Sequence, residues 1–144
     1  MQTTSGTEAK EELAPRLRWA ITRMARRLRQ ESGVDLGPSQ VAALATVERH
    51  GPLSPSELAE RERIKRPTAT RIVGHLEAAG LVERVRDPAD GRASILSVTA
   101  EGRALLRRLR ERKTAYVAKR LAAMSTEDRR TLERAAELLE GMLE

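Results

Sequence analysis

The sequence predicts a mainly α protein with one small β-hairpin, and three observations predict it. First, apolar residues recur at helical spacing along the chain, among them Leu13, Leu17, Ile21, Met24 and Leu28 near one end and Leu132, Ala135, Ala136 and Leu139 near the other. Second, two strand-like runs, residues 81–86 and 93–98, flank a charged turn containing Asp90-Gly91, a strong hairpin signal. Third, two short helical patterns joined by a tight turn stand directly before that pair, the second basic at its N-terminal end. Helix, turn, helix and hairpin in this order are the sequence form of a winged helix-turn-helix core, here with further helices at both termini.

At 144 residues the chain has the length of one ordinary domain and can bury a real core. Trp19 and Tyr116 are its only aromatic residues, so that core must be built from Leu, Ile, Val, Ala and Met. Scarce rings also argue against base-stacking recognition of single-stranded nucleic acid. The net charge is +6, and only four of the 27 basic residues are lysine, a balance that favours an anionic partner. No cysteine is present, which excludes disulfides, thiolate metal sites and thiol oxidation sensing. No apolar run approaches a membrane span and no signal-peptide core opens the chain, so a cytoplasmic location is expected.

Taken in order, residues 1–7 are small and polar and are expected to be disordered. A first helix is predicted over 8–31. Pro15 either kinks it or marks a start just before it. Arg16, Arg23 and Arg27 share another face of this helix, read as a solvated stripe rather than a DNA contact. Ser32-Gly33 breaks the pattern, and a second helix begins near Pro38 with Val41, Leu44, Ala45 and Val47 inward. His50-Gly51-Pro52 ends it, with His50 a cap or solvent-facing residue rather than a ligand, and Leu53 suits a short strand beside the hairpin.

Ser54, Pro55 and Glu57 form a capping box with proline at the first helical position, opening a short helix over 55–61 that carries Leu58 and Ala59 inward. Pro67 restarts a helix to about residue 79. Ala69, Ile72, Val73, Leu76 and Gly80 form its inner stripe. Pro67, Arg71, Gly74 and Ala78 form its outer face, with Thr68, Thr70 and His75 on the flanks. A merely solvated helix would favour Glu and Lys there, whereas small and hydrogen-bonding groups suit close approach to another backbone. Residues 63–71 contain four basic residues and no acidic one. Pro88 limits strand pairing in the hairpin, which places Arg86 and Arg92 near its tip. Thr99 is a good N-cap for a long helix to about 123, with Leu105, Leu106, Leu109, Val117 and Leu121 on its stripe. Ser125 with Asp128 opens a last helix whose stripe holds Leu132, Ala135, Ala136, Leu139, Met142 and Leu143.

These residues carry a resemblance. Residues 87–99, with Asp90-Gly91-Arg92 followed by Leu96-Ser97-Val98-Thr99 and then Glu101-Gly102, resemble the wing signature of the MarR family of transcriptional regulators. Leu58-Ala59-Glu60 and the segment from Thr70 to Gly80-Leu81-Val82 are similar to that family as well, and helix order agrees over nearly the whole chain. The resemblance implies a homodimer in which N- and C-terminal helices interlock. It also implies that Arg92 enters the minor groove while Asp90 orients it, and that a small anionic or phenolic effector releases the DNA.

The expected function is therefore that of a dimeric, sequence-specific DNA-binding transcriptional regulator, a repressor released by a small molecule, on double-stranded DNA with an inverted-repeat operator. One MarR-like domain, 1–144, is expected, with DNA binding over about 36–99 and dimerisation helices over about 8–31 and 100–144. The DNA-binding residues expected are Lys65, Arg66, Pro67, Thr68, Thr70, Arg71, Arg86, Asp90 and Arg92. Arg71, Thr68 and Thr70 are placed nearest base edges, and Lys65 and Arg66 nearest phosphate. Leu13, Leu17, Leu132, Leu139, Met142 and Leu143 are expected at the dimer interface, and Trp19, Arg23, His50 and Arg110 are candidates to line an effector site. No glycine-rich phosphate loop, nucleophile elbow or metal-spaced cluster supports an enzyme, and no metal or cofactor is expected. The alternative is a basic helical RNA-binding or assembly protein, against which the missing stacking groups and the complete wing both count.

Overall fold

The computed structural model describes residues 4–92 and 94–144, with side chains from residue 11 onward. Its elements run α1 (Thr4–Glu31), α2 (Pro38–His50), α3 (Pro55–Glu62), α4 (Arg66–Ala78), β1 (Val82–Arg86), β2 (Ser94–Val98), α5 (Ala100–Ala122) and α6 (Thr126–Gly141). The chain divides into two compact units, one of residues 32–110 and one of residues up to 31 together with 111–144. Residues 100–110, the first half of α5, belong to the winged unit, whose core includes Leu106.

The winged unit is built around an all-aliphatic core. Leu44, Val47, Leu53, Leu58, Val73, Leu76, Leu96 and Leu106 are almost wholly removed from solvent, and each such side chain contributes about 1.5–3 kcal/mol by burial. Local chemistry sets the element ends. Ser54 Oγ accepts the Glu57 N–H at 3.1 Å, so the capping box starts α3 as the sequence predicts. α3 closes with the Arg63 N–H on the Glu60 carbonyl (3.2 Å) and the Ile64 N–H on the Ala59 carbonyl (3.0 Å). Arg63 adopts the left-handed conformation that this Schellman closure requires (φ 54°, ψ 45°). α4 closes in the same way, through Gly80 to Glu77 (3.0 Å) and Leu81 to Leu76 (2.9 Å). Gly80 therefore lies outside α4, at φ +73°, and not on its inner stripe as the spacing predicted.

β1 and β2 pair antiparallel from Val82↔Val98 to Arg86↔Ser94. Leu53 adds the bridge expected of it, exchanging two backbone hydrogen bonds with Leu96 (3.1 and 2.7 Å). Thr99 joins three elements at the hairpin base. Its hydroxyl donates to the Gly80 carbonyl (2.6 Å) and accepts the Gly102 N–H (3.1 Å), and its own N–H donates to the Leu81 carbonyl (3.0 Å). Gly102 is buried, and a Cβ there would stand 2.3 Å from the Leu81 carbonyl oxygen. The absence of a side chain lets the start of α5 seat against the hairpin.

The second unit is helical. α1 begins at Thr4, so residues 4–7 are helical rather than disordered as expected, while residues 1–3 lie outside the described residues. Pro15 sits inside the helix and does not start it. Ser125 Oγ accepts the Asp128 N–H at 3.1 Å and caps α6. That helix buries none of its residues within the protomer and ends at Gly141, which leaves Met142 and Leu143 just beyond the stripe they were expected to extend. On α5 the Arg120 guanidinium stacks 3.6 Å from the centre of the Tyr116 ring. Arg27 stands 5.5 Å from that ring and pairs with Glu31 at 2.9 Å. Among the described residues no helix is long and apolar enough to cross a membrane.

Candidate nucleic-acid interface

α4 is positioned by the burial of Ala69, Ile72, Val73 and Leu76 along one side. The helical turn then aims Pro67, Thr70, Arg71, Gly74, His75 and Ala78 outward, and all six are exposed. Thr68 is half-buried at the edge of this face. Lys65 is the extended residue before the first turn, followed by exposed Arg66. Proline is tolerated at its place in that turn because the N–H it lacks has no intrahelical acceptor there. The Thr70 hydroxyl donates to the Arg66 carbonyl at 3.0 Å, so towards a base edge it retains accepting capacity only. A Cβ on Gly74 would meet nothing within 4 Å, so the glycine answers no packing need inside the protomer.

The wing tip spans residues 87–93, between the ends of β1 and β2. Two aspartates order this charged turn, which lies where the sequence predicts it. Asp87 Oδ1 accepts the Ala89 N–H at 2.9 Å, and Asp90 Oδ1 accepts the Arg92 N–H at 3.1 Å. Each side chain mimics a backbone turn two residues on. The Asp90 contact is thus to the backbone of Arg92, and no ion pair joins its carboxylate to the guanidinium. Arg86 ends β1 opposite Ser94, and both Arg86 and Arg92 are exposed.

A contact that the sequence reading missed ties the wing to α4: Arg84 Nε donates to Glu77 Oε1 at 2.7 Å. Its partners lie seven residues apart across the helix-to-strand turn, a spacing with no periodic signature. The remaining cations of this face, Lys65, Arg66, Arg71, Arg86 and Arg92, have no carboxylate partner within the winged unit. Unpaired guanidinium and ammonium groups beside an outer face of small residues can meet a phosphate backbone and reach base edges together.

Of the four candidate effector-lining residues, two belong to each unit. His50 and Arg110 share an open cleft of about 600 Å³ in the winged unit, with Glu48 paired to Arg110 at 2.9 Å. Trp19 and Arg23 lie on α1, the Arg23 guanidinium 5.3 Å from the indole centre. A second open cleft, about 520 Å³ in the helical unit, is lined by Arg27, Glu31, Arg112, Ala115, Tyr116, Lys119 and Arg120. Among the described residues no cluster of three His, Asp or Glu gathers to hold a metal.

Comparison with known proteins agrees with this geometry. A profile described as MarR family matches residues 34–93, which span α2 to the wing. An HTH-type transcriptional regulator of Mycobacterium bovis is 34% identical over 133 residues, covering 92% of this chain and 93% of the relative. The crystal structure of a transcriptional regulator protein from Pseudomonas aeruginosa superposes with a TM-score of 0.85 at 30% identity, covering 94% of this chain and 96% of that one. A mutant of MepR from Staphylococcus aureus, solved bound to an oligodeoxyribonucleotide, shares the fold with a TM-score of 0.73 at 18% identity, covering 92% of this chain and 98% of that one. With a winged helix-turn-helix, an exposed basic face and relatives matched over almost its entire length, the chain belongs to the MarR family of DNA-binding transcriptional regulators.

Proposed function

We propose that the protein acts as a homodimeric repressor on an inverted-repeat operator with half-sites about one helical turn apart. The observation that carries this reading is the uncovered apolar surface of the helical unit. Leu13, Trp19, Ile21 and Met24 on α1, Leu132 and Leu138 on α6, and Met142 and Leu143 after it are all exposed in the protomer. Leu17 and Leu139, also expected at the interface, are half-buried. An α-helix with no buried residue needs a partner surface, and a second copy supplies matching stripes. In this arrangement residues 32–110 bind DNA, while α1, the second half of α5 and α6 dimerise.

Arg71, Thr68 and Thr70 read base edges in the major groove. Lys65, Arg66 and Pro67 line the phosphate approach, and Arg86 and Arg92 extend the contact to the minor groove, with Asp90 ordering the wing. The oligodeoxyribonucleotide held by the structural relative MepR supports DNA as the ligand. A small anionic or phenolic effector suits the helical unit's cleft, where Arg27, Arg112, Lys119 and Arg120 face one carboxylate, Glu31, around the Tyr116 ring. Repression follows from a dimer that occludes the promoter.

Because Leu138 is exposed in the protomer, Leu138→Glu leaves the isolated fold intact and burdens only an interface. Light scattering at micromolar concentration should show that variant dissociated. Footprinting of fragments selected from sheared genomic DNA should show paired half-sites for the parent protein. A parent protein that is monomeric, or that protects a single unpaired half-site, would overturn the dimer and operator reading.

A further inference from the structure

The two Schellman closures in the winged unit use the same backbone geometry and differ in one residue. After α4 the left-handed position is filled by Gly80, at φ +73°. After α3 it is filled by Arg63, the one residue other than glycine with positive φ among the described residues. A Cβ in that conformation crowds the following carbonyl, which is why glycine, or at times asparagine, is usual there. The bonds that need the conformation, Arg63 to Glu60 and Ile64 to Ala59, are backbone bonds that glycine would make equally well. The Arg63 side chain contributes nothing to the protomer in return. It is exposed, and its guanidinium has no hydrogen-bond or ion-pair partner among the described residues, although Glu60 and Glu62 stand just before it in sequence. Glu62 instead accepts the Thr46 hydroxyl.

A charge at the C-terminal end of α3 does not require the cation to occupy the left-handed position itself, as Arg61 in the last turn shows. Strain held at an exposed residue in the turn before α4, with no compensating contact, points to a contact made only in the complex. We propose that Arg63 is a further DNA-contact residue, a phosphate anchor in the turn of the helix-turn-helix, three residues before α4 begins. Its place in the turn, before the helix that carries Arg71, suits the backbone of DNA rather than base edges, so it adds affinity without sequence preference. The inference rests on the DNA-binding function and adds a residue to it.

The test compares Arg63→Gly and Arg63→Gln with Arg108→Ala, which removes the same charge from an exposed position on α5. Thermal melting is measured alongside anisotropy titrations of a labelled random-sequence duplex over a range of salt. Arg63→Gly should melt higher by about 2–8 °C, because it relieves the left-handed position, yet bind about tenfold more weakly. Its salt slope should be shallower by about 0.9 for each arginine withdrawn. Arg63→Gln keeps the side-chain length and the backbone conflict, so it should lose the same affinity with no gain in melting temperature. Opposed signs for stability and binding are what a purely structural arginine would not give. Binding by both Arg63 variants equal to that of Arg108→Ala would overturn the proposal, as would an Arg63→Gly protein that melts lower than the parent. A parent protein that bound no duplex at all would instead sink the DNA reading itself.

Discussion

Gly102→Ala should destabilise the joint between wing and core, and its cost follows from the contacts. The new Cβ would stand 2.3 Å from the Leu81 carbonyl oxygen, 2.8 Å from Val98 Cγ2 and 3.2 Å from the Leu81 carbonyl carbon. An ordinary carbon–oxygen approach is about 3.3–3.6 Å, so the overlap with the carbonyl is about 1 Å. That carbonyl cannot yield cheaply, because it accepts the Thr99 N–H at 3.0 Å and Thr99 in turn holds Gly80 and Gly102. Overpacking of this kind costs about 1–3 kcal/mol or more, against a helix-propensity gain of about 0.5–1 kcal/mol from alanine. Gly74→Ala provides the matched comparison: the same chemical change in a helix, with nothing within 4 Å of the added atom. It should stabilise by about 0.5–1 kcal/mol while weakening DNA binding, because the methyl group projects from the outer face of α4. Urea unfolding followed by circular dichroism measures the contrast. The propensity gain is common to both variants, so they differ by the overpacking cost, and with a slope of about 1–3 kcal/mol per molar the two midpoints should separate by about 0.3–3 M. A Gly102→Ala midpoint at or above that of the parent would refute the reasoning.

Arg71→Ala should weaken operator binding by about 1–3 kcal/mol per half-site and relax sequence preference, whereas Lys65→Ala should weaken all duplexes alike and flatten the salt dependence; equal losses on selected and random DNA for both would refute the division of roles. Arg92→Ala should lower affinity sharply with fold and melting unchanged, since the residue is exposed at the tip. Asp90→Asn keeps an acceptor for the Arg92 N–H and should bind at least as tightly as the parent, while Asp90→Ala removes that bond and should bind more weakly despite losing a negative charge. Anisotropy at fixed salt measures all three, and tighter binding by a folded Asp90→Ala protein would show that the charge outweighs the turn.

Wherever one side chain closes one local bond, the sequence was an adequate guide. Ser54, Thr99 and Ser125 each cap the helix their spacing predicted, because an N-cap needs only residues three positions apart. The stripe of Ala69, Ile72, Val73 and Leu76 was legible for the same reason of period. Legibility failed where the deciding partner was remote or where a backbone state was hidden. Gly80 matched the stripe by spacing, yet the closure of α4 needed its positive φ. Neither the Glu77–Arg84 link nor the left-handed Arg63 has a pattern that periodicity detects. Small polar residues suggest disorder at the start of α1, yet none of residues 4–7 is a strong helix breaker except Gly6, and the helix runs through them.

The aliphatic core has an optical consequence. Residues 32–110 contain no tryptophan, tyrosine or phenylalanine, so the winged unit is silent in the near ultraviolet. Both chromophores stand in the other unit: Trp19, 61% exposed beneath the Arg23 guanidinium, and Tyr116, stacked with Arg120. Intrinsic emission therefore follows the helical unit alone, whereas far-ultraviolet ellipticity follows both. Superimposable melting curves from the two signals would mark a single cooperative transition, and separated curves would resolve the order in which the halves come apart without a single added label.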